Sequence, residues 1–298
     1  MTKFSVHIAA FFSMFFWGIS YVWSKVVFEF YSPLTTIFIR LLISVIALFL
    51  FMLISGKFQS IKRKHIWIFA VSALFNPFLY FVGESHGLHR VSASVSAFII
   101  ATIPVFTPFL AYWFLREKLS RMNLIGLLVS FLGVLFILIK LDFTLAASPL
   151  GIGLLFMAVF SAIIYTILLK RLVNNYKPVT IIAWQELIGV FYFLPFFYLL
   201  DADTFLSIQP STNAILSLLM LGIFASSLAY VLYTYVVKNL GVIQTNIYIN
   251  LIPVFTAITA FFVLDEIFTP IKISGMILVI FGVVLSQMKG WERKVNNE

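Results

Sequence analysis

The chain has 298 residues, 62% hydrophobic and 10% charged, with a formal net charge of +9 and no cysteine. Soluble globular domains carry roughly 25% charged residues, so this composition excludes one. Without cysteine, disulfides, thiolate metal sites and cysteine nucleophiles are excluded too.

Apolar stretches of about 20 residues cross a bilayer as helices. Ten are predicted, at 5–28, 33–55, 65–83, 91–114, 121–140, 151–169, 179–200, 212–237, 242–263 and 271–288. Almost nothing remains for a soluble domain, and the connections are short. The first span exceeds 20 residues and leads into no small-residue cleavage site, so it reads as a membrane helix and not a signal peptide.

With the N-terminus in the cytoplasm, Lys62, Arg63, Lys64, Arg116, Lys118, Arg121, Lys170, Arg171 and Lys177 fall on inner loops. Lys289, Arg293 and Lys294 follow them at the cytoplasmic C-terminus. The outer side receives only Lys25, Arg90, Lys140 and Lys272. This is the positive-inside pattern, so the basic charge reports topology and not a nucleic-acid partner.

The segment Ile103-Pro104-Val105-Phe106-Thr107 returns 149 residues later as Ile252-Pro253-Val254-Phe255-Thr256. Glu117 answers to Glu266, Gly126 to Gly275 and Gly133 to Gly282 at the same offset; Lys25 answers to Lys170 and Pro33 to Pro178 at an offset of 145. The chain divides into two units, residues 1–145 and 146–298, of five spans each. An odd number of spans turns the second unit upside down. The expected fold is an all-α integral membrane protein, ten transmembrane helices arranged as two inverted five-helix repeats. Such an architecture suits alternating access, with a substrate site near the midplane between the halves.

Candidate site residues follow in chain order. In the first span Trp17 is deep enough to line a pocket, and Lys25 near the outer end pairs with an acid or faces an entrance. Arg40 lies seven residues into the second span, about 10 Å deep. It snorkels outward, pairs with a carboxylate or holds an anionic group. Asn76-Pro77 breaks the third span, and Tyr80 and Glu84 follow. Glu84, His86 and His89 do not share one helical face, which excludes a metal; a proton relay, an external gate and a solvated rim fit the spacing.

In the fourth span Ala97, Ala101 and Pro104 share a face. Proline has no N–H and clashes with the carbonyl four residues back, so Pro104 and Pro253 are expected to free the carbonyls of Ile100 and Ile249. Paired interruptions in two halves are the best sequence pointer to a transport site. Glu186, in the seventh span, reads as a proton carrier or as a structural group. Ala225-Ser226-Ser227 in the eighth span matches the Asn76-Pro77 break, with Tyr230 and Tyr233 beyond it. Asn246, Asn250 and Pro253 form one face of the ninth span, suited to a small polar molecule or to interhelical hydrogen bonds. Ser120 and Thr269-Pro270 read as helix caps. Gly126, Gly133, Gly275 and Gly282 serve packing within the bundle or a homodimer contact.

These residues together resemble the ten-helix drug/metabolite transporter superfamily, EamA-like branch. The first half carries Trp17-Gly18 with Lys25, Pro33 followed by Arg40, Val91-Ser92-Ala93-Ser94 leading into Ile103-Pro104-Val105-Phe106, and Glu117-Lys118-Leu119 followed by Gly126 and Gly133. The second carries Trp184-Gln185, Ile252-Pro253-Val254-Phe255 and Glu266, departing from the first at Glu266-Ile267-Phe268. The resemblance implies a prokaryotic plasma-membrane carrier of small metabolites, such as amino acids and related amphiphiles. It also implies a cavity bordered by helices 1, 3, 4, 6, 8 and 9. The expected function is secondary transport without cofactor or metal, and not an enzyme. The alternatives are an intramembrane lipid-modifying enzyme and a passive channel.

Overall fold

The computed structural model describes residues 3–56, 58–115, 121–138 and 147–287. Glu117, Lys118, Ser120 and the C-terminal basic residues lie outside them. Helix α1 is Lys3–Phe28 and α2 is Pro33–Ile54. Helix α3 runs over Ile66–Ala73, widens over Leu74–Leu79 and resumes over Tyr80–Arg90. Helix α4 is Ala93–Ile100 and, after a break at Ala101 and Thr102, Ile103–Leu115. Then come α5 (Arg121–Leu138), α6 (Pro149–Leu172) and α7 (Pro178–Leu200). Helix α8 repeats the form of α3: Thr212–Met220, a wide stretch over Leu221–Leu228, then Ala229–Leu240. Helix α9 repeats that of α4: Val242–Asn246, a tight turn over Ile247–Asn250, then Leu251–Val263. Helix α10 is Pro270–Gln287. Among the described residues, eight of these are long and apolar enough to cross a bilayer; α5 and α10 are shorter apolar rods.

Local chemistry fixes where the helices start. Ser32, Ser92, Ser148 and Ser211 accept a backbone N–H from the first turns of α2, α4, α6 and α8. Thr269 takes the N–H of Lys272 at the start of α10, 3.3 Å away. Pro33, Pro149, Pro178 and Pro270 occupy first turns, where a missing N–H costs nothing. The surface is apolar, with Ile54, Leu199, Leu200, Phe262 and Leu206 exposed, while Arg40, Glu84, Glu186, Asn76 and Asn246 are buried. A greasy exterior around a polar interior is what lipid as solvent demands.

The most extensive helix pairings all cross between the first five helices and the last five: α5 with α10, α3 with α6, α2 with α7 and α1 with α8 and α9. The glycine stripe lies in the first of these. A Cβ on Gly133 would stand 2.7 Å from the carbonyl oxygen of Gly275, and one on Gly275 equally 2.7 Å from that of Gly133; Gly126 and Gly282 face each other likewise. Because 126 meets 282 and 133 meets 275, the two helices run antiparallel and the contact maps onto itself under the shift of 149. It is a self-complementary contact between two segments of one chain. Of the two uses open to the stripe in the sequence, the structure displays intrachain packing.

The α2–α7 pair is reciprocal at both ends. The carboxylate of Asp201, just after α7, accepts from the N–H (3.1 Å) and hydroxyl (2.7 Å) of Thr35 and from the Ser32 hydroxyl, at the start of α2. Gln59, after α2, accepts from the N–H of Lys177 (3.2 Å) and the hydroxyl of Thr180 (3.3 Å), at the start of α7. Thr35 and Thr180 are repeat partners at offset 145.

The breaks are also served across the halves. In α3, Asn76 leaves helical geometry (φ −146°, ψ 118°), and the carbonyl of Phe75, which also takes the Tyr80 N–H, accepts the Ser161 hydroxyl of α6 at 2.6 Å. In α8, the carbonyl of Ala225 accepts the indole N–H of Trp17, on α1, at 3.1 Å. Pro104 and Pro253 each stand in the first turn of an α-helical segment, after the break at Ala101 and Thr102 in α4 and after the tight turn over Ile247–Asn250 in α9.

Gly282→Leu is expected to lower the thermal stability of the purified protein by about 1–3 kcal/mol, the usual cost of overpacking. At Gly153, where a Cβ meets nothing within 4 Å, Ala should be neutral or stabilise by about 0.5–1 kcal/mol. Thermal unfolding followed by size-exclusion profile checks both.

Candidate functional site

The breaks in α3, α4 and α9 adjoin a small chamber. Trp17, Asn76, Tyr80, Tyr165, Tyr230 and Tyr233 form its polar and aromatic wall, and Ile100, Ile103, Ala162, Thr166, Ile249 and Ile252 complete it. Water centres fit within about 40 Å³. That is room for a few waters, far below the ~300–1,000 Å³ of occupied ligand pockets. The aromatics pack on one another: Trp17 lies 4.8 Å from Tyr230 and 5.1 Å from Tyr233, centroid to centroid.

The lining carries the repeat. Ile100 and Ile249, and Ile103 and Ile252, are partners at offset 149; Trp17 and Ala162 are partners at offset 145. The chamber therefore lies where equivalent stretches of the two halves face each other. Its polar groups are tied from several helices. Asn76 donates to the Tyr230 hydroxyl (3.1 Å), and Tyr233 donates to the Asn246 side-chain carbonyl (3.3 Å). Asn246 in turn donates to the Thr107 hydroxyl (3.2 Å), tying α9 to α4. Tyr165 donates to Gln185 (3.1 Å), which donates to Ser72 (2.7 Å).

A second, smaller pocket adjoins the chamber through Trp17, Tyr80, Tyr230 and Ile252, and adds Arg40 and Glu84. Arg40 donates through Nε to the Ser226 hydroxyl (2.8 Å) and its guanidinium lies 4.4 Å from the ring centre of Phe81. Of the three outcomes open to Arg40, outward snorkelling is therefore excluded: it is 2% exposed. Glu84 accepts from the Ser85 hydroxyl (3.0 Å), and Glu186 is equally buried. Near the end of α1 and the start of α4, Glu266 accepts the N–H groups of Ala93 (2.7 Å) and Ser94 (3.4 Å), the first turn of α4; Lys25 is within its electrostatic reach.

Of the residues expected around a cavity, Trp17, Asn76, Tyr80 and Tyr230 line the chamber. Ala101, Pro104 and Pro253 are buried behind it, shaping the backbone breaks. Asn246 stands one bond away, behind Tyr233, and Asn250 lies in the tight turn of α9 with a buried side-chain oxygen lacking a partner. His86 bonds its own helix at the Val82 carbonyl (3.0 Å). Sequence reasoning missed Ala162, Tyr165 and Thr166 on α6. The 145-residue offset would have found them, because it maps Trp17, Ser20 and Tyr21 onto these three positions.

Comparison with known proteins adds to this geometry. The model of the EamA-like transporter family matches the chain twice, at residues 4–139 and 149–288. An uncharacterized transporter of Archaeoglobus fulgidus is 27% identical over 270 residues, 91% of this chain and 94% of its own length. The uncharacterized transporter YoaV of Bacillus subtilis is 24% identical over 94% of this chain and 95% of its own. A solved structure described as the crystal structure of a protein superposes with a TM-score of 0.69 over 95% of this chain and 98% of its own, at 14% identity, a likeness of fold alone.

Asn246→Ala removes one of two partners from each of the Tyr233 and Thr107 hydroxyls, which keep Thr166 and the Ile103 carbonyl, and is expected to destabilise by about 1 kcal/mol. Asn246→Gln should recover part of that loss; denaturation in detergent measures both.

Proposed function

Because the chain belongs to the EamA-like transporter family, whose members are multi-pass membrane proteins, we propose that it is a secondary transporter of small organic amphiphiles, amino acids or related compounds, in the plasma membrane. In this reading residues 1–145 and 146–298 are inverted five-helix repeats, ten spans in all, with both termini cytoplasmic. The match of one family model to both halves and the antiparallel, self-complementary α5–α10 contact support the duplication. The observation that carries the reading is the chamber wall, in which three repeat-related pairs meet around one space.

The chamber is too small for an organic solute as it stands, so binding requires it to widen on one side. Aromatic faces with polar tips suit an apolar body, and Arg40 with Glu84 next door suits a charged head. Transport then consists of opening toward one compartment at a time. The outer side is held by Glu266 on the start of α4. By the repeat, the start of α9, where Val242 stands 149 residues after Ala93, corresponds to the held start of α4.

In proteoliposomes, a labelled amino-acid mixture is expected to show saturable counterflow, with Tyr230→Ala weakening half-saturation about tenfold, worth about 1.4 kcal/mol. Unsaturable flux would indicate a pore, and lipid turnover without flux an enzyme. The latch has its own test in this naturally cysteine-free chain. Glu266→Gln should raise labelling of Ile103→Cys by an impermeant outside reagent about fivefold, a shift of about 1 kcal/mol. An unchanged rate would remove the latch.

A further inference from the structure

Three ionisable side chains stand at chamber depth with almost no exposure: Arg40 at 2%, Glu84 at 4% and Glu186 at 2%. Arg40 lies seven residues into α2 and Glu84 six residues before the end of α3, each about 10 Å from the outer ends of those helices. Glu186 lies eight residues into α7, about 12 Å from the opposite end. The two carboxylates thus occupy different levels, and Arg40 acts electrostatically on both. Glu186 has a fully buried oxygen, Oε2, without a hydrogen-bond partner among the described residues. A purely structural carboxylate has its oxygens satisfied.

We propose that Arg40, Glu84 and Glu186 form an exchangeable proton site that couples transport to the proton gradient. This rests on the carrier reading. The other titratable groups at this depth are Tyr80 of α3 and Tyr230 and Tyr233 of α8, on helices packed against α7, Tyr21 of α1, which shares the smaller pocket with Arg40 and Glu84, and Tyr165 of α6, which stands beside Gln185, next in the chain to Glu186. All five are phenols, neutral at physiological pH, so one guanidinium faces two carboxylates. In a low-dielectric interior one cation balances one anion, and the second carboxyl keeps its proton. Two neutral arrangements follow. Arg40 balances Glu84 while Glu186 is protonated, or it balances Glu186 while Glu84 is. In one passage the first carboxylate gains a proton from the water on its side as the second releases one to the opposite side; in the return passage the proton moves from the first carboxyl to the second inside the protein, so a full cycle carries one proton across. An O–H bond forms and another breaks, and the charge of the trio is unchanged at each end of the step.

Infrared spectra of the protein in liposomes at neutral pH test the site without a substrate. The wild type should show the C=O stretch of one buried protonated carboxyl; Glu186→Gln and Glu84→Gln should each abolish it, and Arg40→Gln should double it. Absence of the band in the wild type, or its persistence in both carboxylate variants, overturns the site. Coupling is read with the labelled amino-acid mixture. One pH unit drives about tenfold accumulation per proton carried, and Glu186→Gln should bring that ratio to about one. A ratio still near tenfold in the variant overturns the coupling role. If the mixture gives neither gradient-driven accumulation nor counterflow, the carrier reading fails, whatever the infrared result.

Discussion

A backbone carbonyl or N–H released inside a bilayer has no water to turn to. This chain interrupts four of its helices at chamber depth, and the rest of the fold follows from how the freed groups are answered. Phe75 O is met by Ser161 and Ala225 O by Trp17, each a donor from the other half of the chain. Two helix starts are served across the halves as well, α2 by Asp201 and α7 by Gln59, beside the local serine caps. Other groups at the breaks are met within their own half, as Gly222 O is by the Ser227 hydroxyl, and the bonds that do cross join the halves at the level of the breaks.

The same arrangement explains why the chamber lies where it does. A broken helix brings main chain close to the axis and leaves room for large side chains, which the tyrosines and Trp17 take up. Trp17 is both wall and strap, since its indole N–H closes the α8 break while its ring faces Tyr230 and Tyr233. Movement of α1 therefore cannot leave the chamber unchanged. The α5–α10 contact and the doubly capped α2–α7 pair are tied in other ways, through backbone-to-backbone glycine packing and through side-chain caps at both ends.

Much of this was legible in the residues. The five-residue repeat, the matched glycines and the Asn76-Pro77 break located the duplication and the level of the interruptions. Trp17, Asn76, Tyr80 and Tyr230 stood out because aromatic and amide groups at that depth are few. The α6 wall did not stand out, because Ala162 and Thr166 are ordinary membrane residues and become wall only through the partner that faces them. The amides of α9 left two readings open in the sequence, a polar site and interhelical hydrogen bonds; Asn246 makes bonds of the second kind, to Tyr233 and Thr107, and the tight turn at Ile247–Asn250 lies between it and Pro253.

Symmetry in this molecule belongs to the backbone, and asymmetry to the polar side chains. The glycine contacts, the isoleucine pairs of the wall and the helix breaks recur in both halves. Arg40, by contrast, answers to Gln185, Glu186 to Leu41, Glu84 to Tyr233 and Asn246 to Ala97. A device that opens alternately to two sides needs two frames of equal shape, so that neither opening is strongly preferred. A site that holds one solute in one orientation needs the opposite, a wall whose ends differ in charge. In the carrier proposed above, the repeated backbone contacts would supply the first and the differing polar positions the second.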